Sequence, residues 1–197
     1  MATMQSSSTT APAVTIVPAD WCSLADAASY YPHDLPEDWR LGYFANEHAG
    51  VYVPRAVWGR ATAEMLRSWR EDVHGRFGFF LEWPSDAAAT DAGVASASAV
   101  LRDNLVAWVR WGATPAEPGA LLATAAPGKE AHRVGQALHC PPALLDDPRG
   151  AADWLRRSVA AASATLAVLP RPGSAQLTQW RQLAALLGFA ELSPSRG

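Results

Sequence analysis

Lysine is nearly missing from this sequence. Lys129 is its only copy, and arginine makes up the rest of the 16 basic residues, against 19 acidic ones. The net charge of −3 leaves no basic excess to follow a phosphate backbone, so no nucleic-acid partner is expected. Cysteine is scarce too. Cys22 and Cys140 stand alone with no C-x-x-C spacing, which excludes a disulfide framework and fits a reducing compartment. The five histidines are scattered, and none pairs with another at ligand spacing, so no metal site is expected. There is no G-x-G-x-x-G or G-x-x-x-x-G-K-S/T loop to cradle a phosphate, and no G-x-S-x-G elbow. No cofactor is therefore implied. No segment reaches the roughly 18 consecutive apolar residues of a membrane span. Met1 to Pro12 lacks the charged start and apolar run of a signal peptide. These absences lead us to expect a cytoplasmic protein with no membrane partner, carrying a disordered tail over residues 1–12.

What is present is tryptophan, nine copies in 197 residues. Each offers a large apolar area and one N–H that needs an acceptor. Core packing accounts for most of them, and an aromatic-lined pocket is the sharper alternative. The apolar fraction of 49% is that of a globular domain. A chain of this length buries roughly 70% of its unfolded surface. One domain over residues 13–190 is expected, with a C-terminal tail at 191–197.

The hydrophobic pattern alternates between two periods. Short β-rich runs occur at Ala13–Val17, Val51–Val53, Phe77–Trp83, Leu105–Trp111 and Thr165–Leu169. Ala120–Ala123 and Val134–Cys140 read as further strands in a Pro- and Gly-rich middle. Helical spacing appears after Pro36, over Trp58–Val73, over Asp86–Asp103, over Ala151–Ala162, and from Ser174 to a stop at Gly188. Strand–helix alternation of this kind builds a parallel sheet jacketed by helices. The expected fold class is α/β, either a reduced TIM-like barrel or an open parallel sheet.

The order Thr15–Trp21, Tyr31-Pro32, Leu35-Pro36, Trp39, Tyr43-Phe44-Ala45, Val51–Pro54, Trp69 and Phe77–Phe79 resembles the YecE-like family, domain of unknown function 72. The likeness covers about Ala13 to Trp83 and implies a TIM-like barrel. Two features depart from it. The family's acidic-x-Asn-Ser-Thr-x-Tyr strand is reduced here to Gly50–Pro54, and Glu82-Trp83 stands where the family has a lysine after its Phe-x-Phe strand. The chain is also shorter than the roughly 250 residues of a full barrel. The family lends no settled activity.

In a barrel or an open parallel sheet, ligands bind at the C-terminal strand ends. That rule selects Asp20, Trp21 and Cys22 after the first strand, then Glu82, Trp83, Arg110, Trp111, His139, Cys140 and Arg171. Glu82 and Arg110 each end an apolar strand, where a lone charge is costly to bury. They can be read as a structural ion pair, or as a catalytic pair in which Glu82 moves a proton and Arg110 clamps an anion. Trp21, Tyr31, Trp83, Trp111 and His139 are the candidate ligand-binding residues. Cys22 and His139 could meet across the mouth. His139 and Cys140 cannot act together, because strand neighbours face opposite sides. Two functions are compatible with this pattern. One is a barrel that binds a small molecule or a protein partner without clear catalytic machinery. The other is a small-molecule hydrolase or lyase built on Glu82 and Arg110. Nothing in the sequence sets an oligomeric state.

Overall fold

The structure, a computed structural model, describes residues 12–84, 92–114, 117–123, 132–159 and 164–191. Expectations for the two tails, apart from Pro12 and Glu191, fall outside these residues. Among the described residues seven strands form one sheet: β1 (Ala13–Pro18), β2 (Gly50–Val53), β3 (Gly78–Glu82), β4 (Leu105–Arg110), β5 (Gly119–Leu122), β6 (Arg133–His139) and β7 (Ala164–Leu169). Their spatial order is β1-β7-β6-β5-β4-β3-β2. The two outer members then approach each other. Ala19 bridges Tyr52, and Asp20 N–H donates to the Tyr52 carbonyl at 2.8 Å. The sheet is thus nearly closed into a barrel, stitched at one end of the β1–β2 seam.

All neighbouring strands run parallel except at β5, which is antiparallel to both β4 and β6. An all-parallel sheet was expected, and this one strand corrects it. Only the short Trp111–Pro118 segment joins β4 to β5. A parallel crossover needs a dozen residues or more, so the chain must turn back.

Seven helices surround the sheet among the described residues: α1 (Ala27–Tyr30), α2 (Arg40–Glu47), α3 (Arg55–Trp58), α4 (Ala63–Asp72), α5 (Ala92–Leu101), α6 (Pro148–Val159) and α7 (Ser174–Leu186). None of them is long and apolar enough to cross a membrane. The single helix expected over Trp58–Val73 is broken after Gly59, and Thr62 restarts it by accepting the Met65 N–H as an N-cap. Ser174 was expected to cap the last helix. It is instead the first helical residue, and its N–H and hydroxyl both donate to Asp26, far back in the sequence. Gly188 ends this helix at φ 81°, a conformation glycine adopts freely.

Strand alternation divides the core in two. The barrel interior takes Val17, Tyr52, Phe80, Ala107, Val109, Leu121, Ala137, Leu166 and Val168, with every strand contributing and no helix. Phe80 fits because Gly50 and Gly78 stand beside it. A Cβ on Gly50 would lie 2.7 Å from the Gly78 carbonyl and 3.4 Å from the Phe80 ring. The larger cluster lies between sheet and helices and holds Trp21, Trp58, Trp69, Trp83, Trp108, Trp154 and Trp180. Here the tryptophans meet edge to face, as in Trp21–Trp69 at 5.1 Å and Trp58–Trp108 at 5.2 Å. Packing is therefore the main use of this residue type in the fold.

Candidate functional site at the barrel mouth

The C-terminal ends of six strands open at one rim, where parallel barrels bind their ligands. Four inward-facing side chains gather there. Tyr52 on β2 is buried, and its hydroxyl oxygen accepts the Trp111 Nε1–H bond at 2.7 Å. Trp111, just past β4, stacks on His139 from β6 with ring centroids 3.7 Å apart and planes 20° from parallel. Glu82 ends β3, and its Oε2 accepts the backbone N–H of Arg55 at 2.7 Å. These contacts tie β2, β3, β4 and β6 together across the mouth.

Burial raises the pKa of the Tyr52 hydroxyl. The Trp111 hydrogen bond opposes that shift and the nearby Glu82 carboxylate adds to it. Burial lowers the pKa of His139, against a smaller upward pull from Glu82. The imidazole is therefore neutral near pH 7, which suits stacking on an indole. Asp20 marks the β1 side of the rim. It holds φ at 91°, a strained value for a residue with a Cβ. Burial raises its carboxyl pKa, and hydrogen bonds from the Cys22 and Trp21 backbone offset part of the rise.

Glu82, Trp111 and His139 thus converge as the strand-end rule selects them. The Glu82–Arg110 ion pair expected from the sequence does not form. The ladder between β3 and β4 shifts register at Phe79/Phe80, so Glu82 lies beside Val109. A one-residue shift exchanges the faces of everything beyond it. Trp111 is turned inward and Arg110 outward, where its guanidinium sits 5.2 Å from the Trp83 ring centre. The role of anion clamp at the mouth therefore does not fit Arg110.

Trp21, Tyr31 and Trp83 belong to the outer layer. Tyr31 donates its hydroxyl to the Trp21 carbonyl at 2.6 Å, which is a packing role. Cys22 packs against that same layer and Cys140 lies within it. Burial pushes Cys22 up to about 11, helped by Asp20 and Glu37, and pushes Cys140 up to about 12. Both thiols are protonated at neutral pH, so neither serves as a nucleophile with His139. Among the described residues no group of three or more His, Cys, Asp or Glu side chains could hold a metal ion.

Tyr52 is the mouth residue that sequence reasoning missed. The signal for it is a single phenol inside Val51-Tyr52-Val53, where a buried hydroxyl must find a partner. Among the described residues, grooves also lie on the outside of the barrel, one lined by β1 and α7, one by α2 with Trp39 and Asp72, and one by α1, α2 and α7. None contains the mouth residues. Asp26, Tyr30, Tyr43 and Glu47 also meet in the groove between α1, α2 and α7, but the mouth ranks above it because its groups come from four strands and are joined to one another, with the Tyr52 hydroxyl accepting from Trp111 and Trp111 stacking on His139. No protein-family model matches the chain, and no curated protein and no solved structure matches it either.

Proposed function

We propose that the protein binds a small organic molecule at the C-terminal mouth of its barrel, held by Tyr52, Glu82, Trp111 and His139. The observation that carries this reading is the linked set of mouth contacts: an indole bonded to one strand's phenol, stacked on another's imidazole, with a carboxylate beside them. Glu82 and Trp111 are half-buried and His139 is exposed, above the buried Tyr52 ring. Such a site combines apolar walls with a few placed polar groups, as ligand pockets do.

A thermal-shift screen of metabolites of mixed charge tests the reading. It should be run on the wild-type protein, Glu82→Gln and Arg110→Ala. Ligand at a hundred times its Kd stabilises by about 2.7 kcal/mol, or roughly 5–10 °C for a domain of this size. At least one compound should shift wild type and Arg110→Ala but not Glu82→Gln. If no compound shifts the wild type, or if all three proteins respond alike, the mouth is not the site.

A second reading is favoured by the carboxylate lying near the Tyr52 hydroxyl: proton transfer on the bound molecule, with Glu82 as acid or base. The hydrolase or lyase form that relied on Arg110 as anion clamp has no support. Kinship with the YecE-like family remains our inference. The barrel architecture supports it, together with the run of residues from Ala13 to Trp83. The two free cysteines support a reducing, cytoplasmic location.

A further inference from the structure

Glu82 is an unusual anion for its surroundings. Its half-buried carboxylate lies beside Tyr52 and His139, accepts the backbone N–H of Arg55 and interacts with the Tyr52 hydroxyl, and both of those partners are neutral. A carboxylate partly withdrawn from water is stabilised by a cation beside it. Two arginines are close enough in the chain to serve, and both are turned away. Arg55 places its guanidinium 4.4 Å from the Trp58 ring centre, and Arg110 covers Trp83. Both of those indoles belong to the outer layer. Arg171 is exposed just past β7 and pairs with no described acid. Among the described residues, then, no basic side chain is paired with the mouth carboxylate.

The aromatic groups point the same way. The faces of indole and phenol rings carry negative potential, which attracts cations and repels anions. The neutral imidazole of His139 adds no opposing charge. Resting on the mouth reading above, we propose that the ligand is an organic ammonium ion, with its charge set against Glu82 and its alkyl groups against Trp111, Tyr52 and His139. Neutral and anionic molecules of the same shape lack the ion that this carboxylate needs.

The test follows the Trp111 indole N–H by nuclear magnetic resonance in the isotope-labelled full chain, with its signal identified by its loss in Trp111→Phe. Two series of matched probes are titrated. The first is choline with its neutral tert-butyl isostere and the corresponding carboxylate. The second is butylamine with butanol and butanoate. The expected result is a saturable movement of the Trp111 signal with choline or butylamine, and binding at least about tenfold weaker for the matched neutral and anionic probes. Glu82→Gln should weaken the ammonium response by roughly ten- to a hundredfold, with the remaining indole signals still dispersed as in wild type. Arg110→Ala should leave it unchanged.

If the neutral or anionic probe moves the Trp111 signal as strongly as the cation, the ammonium inference is overturned while the mouth reading stands. It is equally overturned if neither cation moves the signal, or if Glu82→Gln responds like wild type. The wider metabolite screen decides the mouth reading separately.

Discussion

His48 offers the most direct check on the packing of this barrel. It sits between α2 and β2, 4% exposed, with its ring 4.3 Å from that of Phe44. Neither ring nitrogen has a hydrogen-bond partner among the described residues. Burial, and secondly the Arg181 charge, lower its pKa from 6.5 to about 4. Arg181 is itself fixed by the Glu47 carbonyl at 2.9 Å and by Glu191 at 3.3 Å, so its charge stays nearby. The unfolded imidazole takes up its proton near pH 6.5 and the folded one only near pH 4. Between those values the unfolded chain binds more protons, so folding stability must fall as the pH drops. The contribution is fully present above pH 6.5. At 1.36 kcal/mol per pH unit, its loss amounts to at most about 3 kcal/mol by pH 4. His48→Phe keeps the ring on Phe44 and removes both unpaired nitrogens. It should be neutral or more stable by about 1 kcal/mol at pH 7, and should lack the acid-dependent loss. Urea midpoints at pH 7 and at pH 4.5 measure both effects. The difference between the two proteins cancels the carboxylates they share. The midpoint gap should widen by roughly 1 M on acidification. Parallel losses in both proteins would refute the argument, as would a His48→Phe variant clearly weaker at pH 7, because the nitrogens would then have partners.

Other substitutions test other parts of the fold. Asp26→Ala removes the long-range cap on the first turn of α7 and should lower stability by about 1–2 kcal/mol in denaturant melts; loss of a few tenths or less would show that the cap is dispensable. Tyr52→Phe leaves the Trp111 Nε1–H without its acceptor. It should destabilise by about 1 kcal/mol and speed solvent exchange of that indole proton; unchanged exchange would place the bond elsewhere. Gly78→Ala drives a methyl group to within 2.6 Å of Val106 and should destabilise by roughly 1–3 kcal/mol. A neutral result would mean that the barrel floor is looser than described.

The strands were legible because each is a short apolar run closed by proline, glycine or a charge. Ala120–Ala123 and Val134–Cys140, the weakest expectations, did become β5 and β6. The reversal of β5 was not read, although the absence of a helical pattern between Trp111 and Pro118 carried it. The mouth was partly legible. The strand-end rule found Glu82, Trp111 and His139, but it placed no face on any of them. Alternation by itself shows that Glu82 and Trp83 cannot both point inward, nor Arg110 and Trp111. Deciding between Arg110 and Trp111 needs the register shift at Phe79/Phe80, a relation between two strands that neither run contains. Asp26 reaching Ser174 is equally invisible, because it joins a loop near the start of the chain to its final helix.

The pairing of β1 fixes an order of events during synthesis. Its ladder runs from Ala13–Ala164 to Pro18–Leu169, while toward β2 it has the single Ala19–Tyr52 bridge. A ribosome therefore releases the first strand long before its partner is made, and Val14, Ile16 and Val17 wait uncovered until β7 emerges. Contacts this distant in sequence form slowly. A nascent chain halted ahead of residue 164 would present two unsatisfied edges, β1 and β6, making that interval the one in which a chaperone has most to shield.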